Sequence, residues 1–284
     1  MARSDSLQEI VCCMGQPVAG NPTQFMMEQA FTAAKLDWRY LTLEVPPENL
    51  EDAIKGLRAM GFKGGNFTIP HKVAVIPLLD RLSEAAALMG AVNCVNRDAD
   101  DNLVGENTDG KGFVQSLREV TDPAGKKVVI LGAGGAARAI AVEVGLAKAA
   151  EFTVVNRSRE RGQELADLLN DRVKVPTKFV QWVDDYEIEA GTDIVINATS
   201  IGLGDASARV PIDYDSLAAG MVVADVVFNP PKTVFLTEAE TRGCTTLDGL
   251  GMLVNQGVIG FKIWTGIDPD PAVMREALEE YLEL

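Results

Sequence analysis

Short apolar, β-branched runs alternate along the chain with stretches of helical apolar spacing, and this alternation predicts an α/β architecture with parallel strands. The first half reads as a strand at Ile10–Met14, a helix over Gln24–Ala34, a strand at Tyr40–Val45, a helix over Leu50–Met60 and a strand at Asn66–Ile69. Short helices follow to Met89, then strands near Val92–Asn96 and Asn102–Gly105. The Pro123-Ala124-Gly125 break opens a second series: strand Lys127–Leu131, helix Ala136–Leu146, strand Phe152–Val155, helix Arg159–Leu169. Further strands are expected at Ile194–Asn197, Val222–Val227 and Thr245–Leu247. The last two helices, Leu250–Trp264 and Pro271–Leu284, could pack on either half.

A length of 284 residues with 47% hydrophobic content exceeds the usual single-core size, so two domains are expected. The formal charge of -15 would repel a phosphate backbone or an anionic bilayer, which argues against a nucleic-acid partner. The most apolar long stretch, Val128–Ala150, is broken by Arg138, Glu143 and Lys148, so no membrane span is expected. The N-terminal segment carries Asp5 and Glu9 and only a short apolar run, Ile10–Met14, unlike a secretory signal, and adjacent Cys12 and Cys13 suit a reducing cytoplasm. With His71 alone and four scattered cysteines, no zinc ligand set is expected, and proton chemistry falls to Lys, Asp, Glu or Tyr.

Gly132-Ala133-Gly134-Gly135-Ala136-Ala137 follows an apolar strand and opens an Ala-rich helix, the setting in which glycines let backbone N–H groups approach a pyrophosphate. About 20 residues on, where an NAD enzyme usually offers a carboxylate to the ribose, the strand ends in Asn156-Arg157-Ser158-Arg159-Glu160-Arg161. Guanidinium groups from Arg157 and Arg161 would pair with a 2′-phosphate, so NADP is expected over NAD; the alternative is a solvated helix start. Gly105-Glu106-Asn107-Thr108-Asp109-Gly110-Lys111-Gly112 imitates a P-loop, but Gly112 stands where the magnesium-binding Ser or Thr belongs.

Asn66-Phe67-Thr68-Ile69-Pro70-His71-Lys72, Gly90-Ala91-Val92-Asn93-Cys94-Val95 and Asn107-Thr108-Asp109-Gly110-Lys111-Gly112 follow one another in the first half. Asn197-Ala198-Thr199-Ser200-Ile201-Gly202, Asp225-Val226-Val227-Phe228-Asn229-Pro230 and Gly251-Met252-Leu253-Val254-Asn255-Gln256-Gly257 follow in the second. In this order, over nearly its whole length, the chain resembles the shikimate dehydrogenase family.

The resemblance implies reversible NADPH-dependent reduction of 3-dehydroshikimate to shikimate, a step toward aromatic amino acids, in a cleft between two domains. The N-terminal α/β catalytic domain would span 1–110 plus 248–284, and a doubly wound Rossmann-type NADP-binding domain 111–247. Lys72 and Asp109 fall on the family's catalytic pair. An ammonium beside the carbonyl can stabilise the developing oxyanion and donate its proton, while the aspartate would orient the lysine. Asn66, Thr68, Asn93 and Gln256 align with contacts to substrate hydroxyls. Asn156, Arg157, Ser158, Arg161, Thr199 and Gly251 join Gly132, Ala133, Gly134, Gly135 and Ala136 at the cofactor. His71 receives no catalytic role, no metal is implied, and a homodimer is left open.

The departures cluster. The family's first motif runs Gly-x-Pro-x-x-His-Ser-x-Ser-Pro, with two serine hydroxyls on the substrate carboxylate; here Asn21 and Thr23 occupy those positions, separated by Pro22. A tyrosine that also contacts the carboxylate is Phe228 here. Losing one hydrogen bond to a charged group costs roughly 1.5–3 kcal/mol, about a ten- to hundredfold loss of binding. The reading is therefore an NADP-dependent shikimate-dehydrogenase-type enzyme with a modified carboxylate pocket. The alternatives are a quinate or other cyclic hydroxy-acid dehydrogenase, and a dinucleotide-binding module without catalysis.

Overall fold

A computed structural model of the protein describes residues 7–284, so Asp5 lies outside the described residues. The chain divides into two compact units, one formed by residues up to Thr108 with Gly257–Leu284, the other by Asp109–Gln256. Among the described residues no helix is long and apolar enough to cross a membrane, and no group of three or more His, Cys, Asp or Glu could hold a metal ion. All four cysteines are buried and free.

The first unit runs β1 (Glu9–Gly15), α1 (Thr23–Ala33), β2 (Trp38–Glu44), α2 (Leu50–Ala59), β3 (Gly64–Phe67), α3 (His71–Ala74), β4 (Arg81–Leu82), α4 (Glu84–Met89), β5 (Cys94–Arg97) and β6 (Leu103–Glu106). Its six strands lie in the order β2-β1-β3-β5-β6-β4. β1 pairs in parallel with β2 and β3, as expected, but β3 with β5 and β5 with β6 are antiparallel, which corrects the all-parallel expectation. For β5 and β6 the cause lies in the Asp-rich segment between them. Asp98 Oδ1 accepts from the N–H groups of Asp100 (3.0 Å) and Asn102 (2.9 Å), closing a tight turn that sends the chain straight back. β2 is an edge strand, and α1 covers its outward N–H groups: Gln24 Oε1 accepts from Thr42 N (3.1 Å) and Glu28 Oε1 from Tyr40 N (2.5 Å).

The second unit contains the rest of α5 (Thr108–Leu117), then β7 (Lys127–Leu131), α6 (Gly135–Leu146), β8 (Glu151–Asn156), α7 (Arg159–Leu168), β9 (Thr177–Gln181), β10 (Tyr186–Glu187), β11 (Ile194–Asn197), β12 (Ile212–Asp213), β13 (Val222–Asp225), α8 (Val234–Thr241) and β14 (Thr245–Leu247). Helix α9 (Gly249–Thr265) begins in this unit and ends in the first, where α10 (Pro271–Leu282) packs against α1. The large sheet has the order β14-β13-β11-β7-β8-β9, all parallel. The chain winds outward from β7 through β8 to β9, then from β11 through β13 to β14, so the topological switch point lies between β7 and β11. This is the doubly wound fold the motifs predicted.

Helix α5 was not expected, because Gly110 and Gly112 are poor helix formers. Both are needed where they stand. A Cβ on Gly110 would run into the α6 backbone at Ala139, and one on Gly112 would lie 2.7 Å from Gln256 N and 2.8 Å from Met252 O on α9. The apparent P-loop is thus a helix start whose glycines permit close helix crossings.

Candidate functional site

In the first unit, hydrogen bonds join Asn66 to Asn93 and Asn21 to Thr23. β1 lies between β2 and β3, and Cys13 is in register with Thr42 on β2 and Asn66 on β3. Because side chains two apart share a sheet face, Tyr40 lies on the same face as Thr42, Cys13 and Asn66. Tyr40 Oη donates to Asn66 Oδ1 (2.6 Å), and Asn66 Nδ2 donates to Asn93 O (3.1 Å). Asn93 in turn holds Thr108, accepting from its backbone N–H at Oδ1 (2.7 Å) and donating from Nδ2 to its hydroxyl (3.0 Å). Asn93 therefore secures the first residue of α5 as well as standing in the expected substrate set.

Asn21 lies just before α1. Its Oδ1 accepts from Thr23 N (2.9 Å), and its Nδ2 donates to Cys13 Sγ (3.6 Å). Thr23 is buried at the first turn of α1. The two positions thus carry one half-buried amide and one buried threonine. Burial pushes the Cys13 thiol up to about 11, while a hydrogen bond with Tyr40 and the charge of Lys72 pull the other way. Lys72 stands on α3, in the same unit as Cys13. Thr68 and Lys72 are half-buried and flank His71, which is fully buried with Nε2 on Val45 O (2.7 Å). His71 thus ties α3 to the end of β2.

In the second unit, β7 ends at Leu131 and the chain turns at Gly132, whose φ of +109° is the left-handed region that favours glycine. A Cβ there would also lie 3.0 Å from Ala198 O and 3.1 Å from Thr199 Cγ2, so this turn nestles against the loop after β11. Gly134 caps α6 without a side-chain hydrogen bond, and beyond the Cα atoms of Gly134 and Gly135 there is open space. Uncapped N–H groups, absent side chains and room in front of them fit a dinucleotide pyrophosphate. Ala133 and Ala136 complete this loop.

At the tip of β8, Asn156 Nδ2 donates to Ser158 O (2.7 Å), and Ser158 Oγ accepts from Arg161 N (3.4 Å), capping α7. Arg157 and Arg161 are exposed, and among the described residues neither forms an ion pair with a carboxylate. Arg157 lies over the ring of Trp182, 5.8 Å from its centroid, and Trp182 is itself fixed by Nε1 donating to Pro211 O (2.8 Å). Two unneutralised guanidinium groups at this strand tip fit a 2′-phosphate.

A buried carboxylate that sequence reasoning did not single out organises the switch point. Asp225 closes β13 and accepts from Asn197 Nδ2 (2.9 Å), Val227 N (3.0 Å) and Thr233 Oγ1 (2.8 Å). Asn197 Oδ1 then accepts from Thr199 Oγ1 (2.7 Å) and Thr199 N (3.2 Å), setting the loop beside Gly132. Burial raises Asp225 to about 6 despite its three donors. Phe228 lies half-buried just after β13, and Gly251 and Gln256 are buried on α9, with Gln256 Nε2 donating to Leu253 O (3.0 Å). Asp109 stands in the first turn of α5. The residue types of Asp225 and Tyr40 were visible in the sequence, but the contacts of Tyr40 with Asn66 and of Asn197 with Asp225 span 26 and 28 residues and had no local signal.

Comparison with known proteins adds three kinds of match. Residues 13–95 match the shikimate dehydrogenase substrate binding domain, residues 115–202 shikimate / quinate 5-dehydrogenase, and residues 249–279 the shikimate 5'-dehydrogenase C-terminal domain. A shikimate dehydrogenase (NADP(+)) from Methanopyrus kandleri is 41% identical, over 98% of this chain and 97% of that protein. The crystal structure of a 5-ketofructose reductase from Gluconobacter sp. strain CHM43 is similar with a TM-score of 0.94 and 52% identity, covering 97% of this chain and 99% of that one. A quinate dehydrogenase from Corynebacterium glutamicum, solved in complex with NAD, has a TM-score of 0.89 and 33% identity, covering 98% and 99%.

Proposed function

Because the chain belongs to the shikimate/quinate dehydrogenase family of oxidoreductases, we propose that it is an NADP-linked reductase of a neutral polyhydroxy ketone, with 5-ketofructose as the leading substrate. The observation that carries this is the wall around Asn21. Where the family holds a carboxylate with serine hydroxyls and a tyrosine, this chain offers Asn21, already bonded to Cys13 and Thr23, and the hydroxyl-less Phe228. An uncharged substrate loses nothing from those changes, whereas a carboxylate loses charge-assisted partners. The 52% identity with a protein named 5-ketofructose reductase supports the same choice.

Gly132, Ala133, Gly134, Gly135 and Ala136 would hold the pyrophosphate, with Asn156, Arg157, Ser158 and Arg161 at the 2′-phosphate and Thr199 and Gly251 completing the site. The cofactor, when bound, supplies a hydride to the carbonyl carbon. The carbonyl oxygen then gains negative charge, and Lys72 donates a proton to it, leaving a secondary alcohol. Asp109 is the second proposed catalytic residue. Asn66, Thr68, Asn93 and Gln256 would bind substrate hydroxyls, because amides and hydroxyls both donate and accept.

A second reading, reduction of 3-dehydroshikimate to shikimate, is favoured by the relatives named shikimate dehydrogenase, 35–42% identical to this chain. Steady-state assays with NADPH and NADH on 5-ketofructose and 3-dehydroshikimate, and with NADP on shikimate and quinate, separate the two. The proposal expects kcat/KM at least about tenfold higher for 5-ketofructose with NADPH, the factor one lost hydrogen bond to a carboxylate would produce. A preference for 3-dehydroshikimate refutes it in favour of the second reading. Dinucleotide binding without turnover of any of these compounds refutes both and leaves a non-catalytic module.

A further inference from the structure

Beside the edge strand β2, a cavity of about 320 Å³ opens in the first unit, and its walls include Asn21, Gln24, Phe25, Glu28, Thr42 and Tyr281. Of the residues expected at the substrate, only Asn21 is among them. Two rings form the apolar wall: Phe25, half-buried on α1, and Tyr281, 41% exposed near the end of α10, with centroids 6.0 Å apart and planes tilted by 41°. The polar wall has a fixed orientation. Thr42 N–H can only donate, so Gln24 Oε1 faces it at 3.1 Å and the Gln24 Nε2 hydrogens are left as donors. Glu28 Oε1 accepts from Tyr40 N (2.5 Å), which leaves Oε2 as an acceptor, 3.9 Å from Arg39 Nη1. Among the described residues neither Gln24 Nε2, the Thr42 hydroxyl nor Tyr281 Oη has a hydrogen-bond partner.

We propose that this cavity is a second binding site, for one neutral polyol of hexose size. The inference does not rest on the function proposed above. The volume stands at the lower end of the range for small-molecule sites, about 300–1,000 Å³, which suits one six-carbon polyol and is too little for a dinucleotide. Donors at Gln24 Nε2, acceptors at Glu28 Oε2, and hydroxyls at Thr42 and Tyr281 that do both match a ligand whose hydroxyls also do both. The rings of Phe25 and Tyr281 give its C–H face an apolar surface to lie on. Charge selects the neutral class. An anion would meet the Glu28 carboxylate, and an ammonium would have to compete with Arg39, which already balances that carboxylate.

The test labels the full chain with 3-fluorotyrosine and follows its fluorine NMR spectrum. The chain has only four tyrosines, and Tyr281→Phe assigns the signal of the exposed one. Titration with D-mannitol or D-fructose is expected to shift the Tyr281 signal saturably, with half-saturation at about 1–20 mM, the range for a few hydrogen bonds exchanged with water. Thr42→Val, which keeps the N–H on Gln24, and Phe25→Leu should each raise that midpoint about three- to tenfold. Lys72→Met should leave it within about twofold, because Lys72 does not line the cavity. A Tyr281 signal that stays still, or drifts without saturating up to about 200 mM polyol, overturns the proposal. So does a midpoint indifferent to Thr42→Val, or tighter binding of tetramethylammonium than of mannitol. Loss of the response in Lys72→Met would assign the polyol to the substrate residues and overturn the second site. Should Phe25→Leu fail to fold, Thr42→Val decides alone. None of these readings uses turnover, so failure of the proposed reaction leaves this test standing.

Discussion

Replacing Asp225 by asparagine removes a buried charge while keeping every contact that the carboxylate makes. The amide oxygen can accept from Asn197 Nδ2 and Val227 N, and the amide nitrogen can donate to Thr233 Oγ1, whose hydroxyl rotates to accept. What changes is the titration. Burial raises the Asp225 carboxyl from the usual 3.8 to about 6, outweighing the three donors that favour its ionised form. The folded state therefore binds this proton more tightly than the unfolded chain does. Its contribution to stability is fully present below pH 3.8 and is lost as the pH rises through about 6. A rise of this size corresponds to about 3 kcal/mol in all, of which about 2 kcal/mol falls between roughly pH 4.5 and 8. Asparagine has no proton to lose, so urea unfolding at those two pH values should show the variant gaining about 2 kcal/mol on the unaltered protein as the pH rises. Dinucleotide affinity should change less than about twofold, because the Asn197–Thr199 loop keeps its anchors. A stability difference that does not vary with pH would refute this account of Asp225.

The cofactor assignment predicts that Arg157→Ala combined with Arg161→Ala raises the KM for NADPH about ten- to hundredfold and leaves that for NADH within about threefold; equal losses would show that the two guanidinium groups do not read a 2′-phosphate. For the proton donor, Lys72→Met should lower kcat by at least about a hundredfold. Titration of the same variant with NADPH, followed by cofactor fluorescence, should match the unaltered protein, since the proposed cofactor contacts come from the glycine loop, Arg157 and Arg161 and not from Lys72. Retained turnover in Lys72→Met would remove this lysine from the chemistry.

The second unit was legible because its central strands are buried on both faces and so read as unbroken aliphatic runs: Val128–Leu131, Ile194–Ile196, Val222–Ala224. The glycine loop was legible for a related reason, since a turn at φ +109° against Ala198 leaves little choice of residue at 132. Strand direction in the first unit was not, because an apolar run carries no arrow; the arrow was set by Asp98 accepting two N–H groups five residues before β6 begins. Strand β9 was missed since Thr177–Gln181 is a half-exposed edge with no alternation to mark it. The site shows the same division. Asn66 and Asn93 could be named one by one, but the bond joining them and the one Tyr40 donates to Asn66 cross 27 and 26 residues and leave no local signal. The bonds around Asn21 also change what the departures mean. Against a carboxylate-binding pattern, Asn21, Thr23 and Phe228 count as three losses. Yet Asn21 is held at its oxygen by Thr23 N–H and at its nitrogen by Cys13, while Phe228 removes a hydroxyl that a neutral substrate does not need. An Asn21 amide already engaged at its oxygen and at one hydrogen, and a Phe228 without a hydroxyl, leave a carboxylate fewer charge-assisted partners, and this is the physical ground for preferring an uncharged ketone.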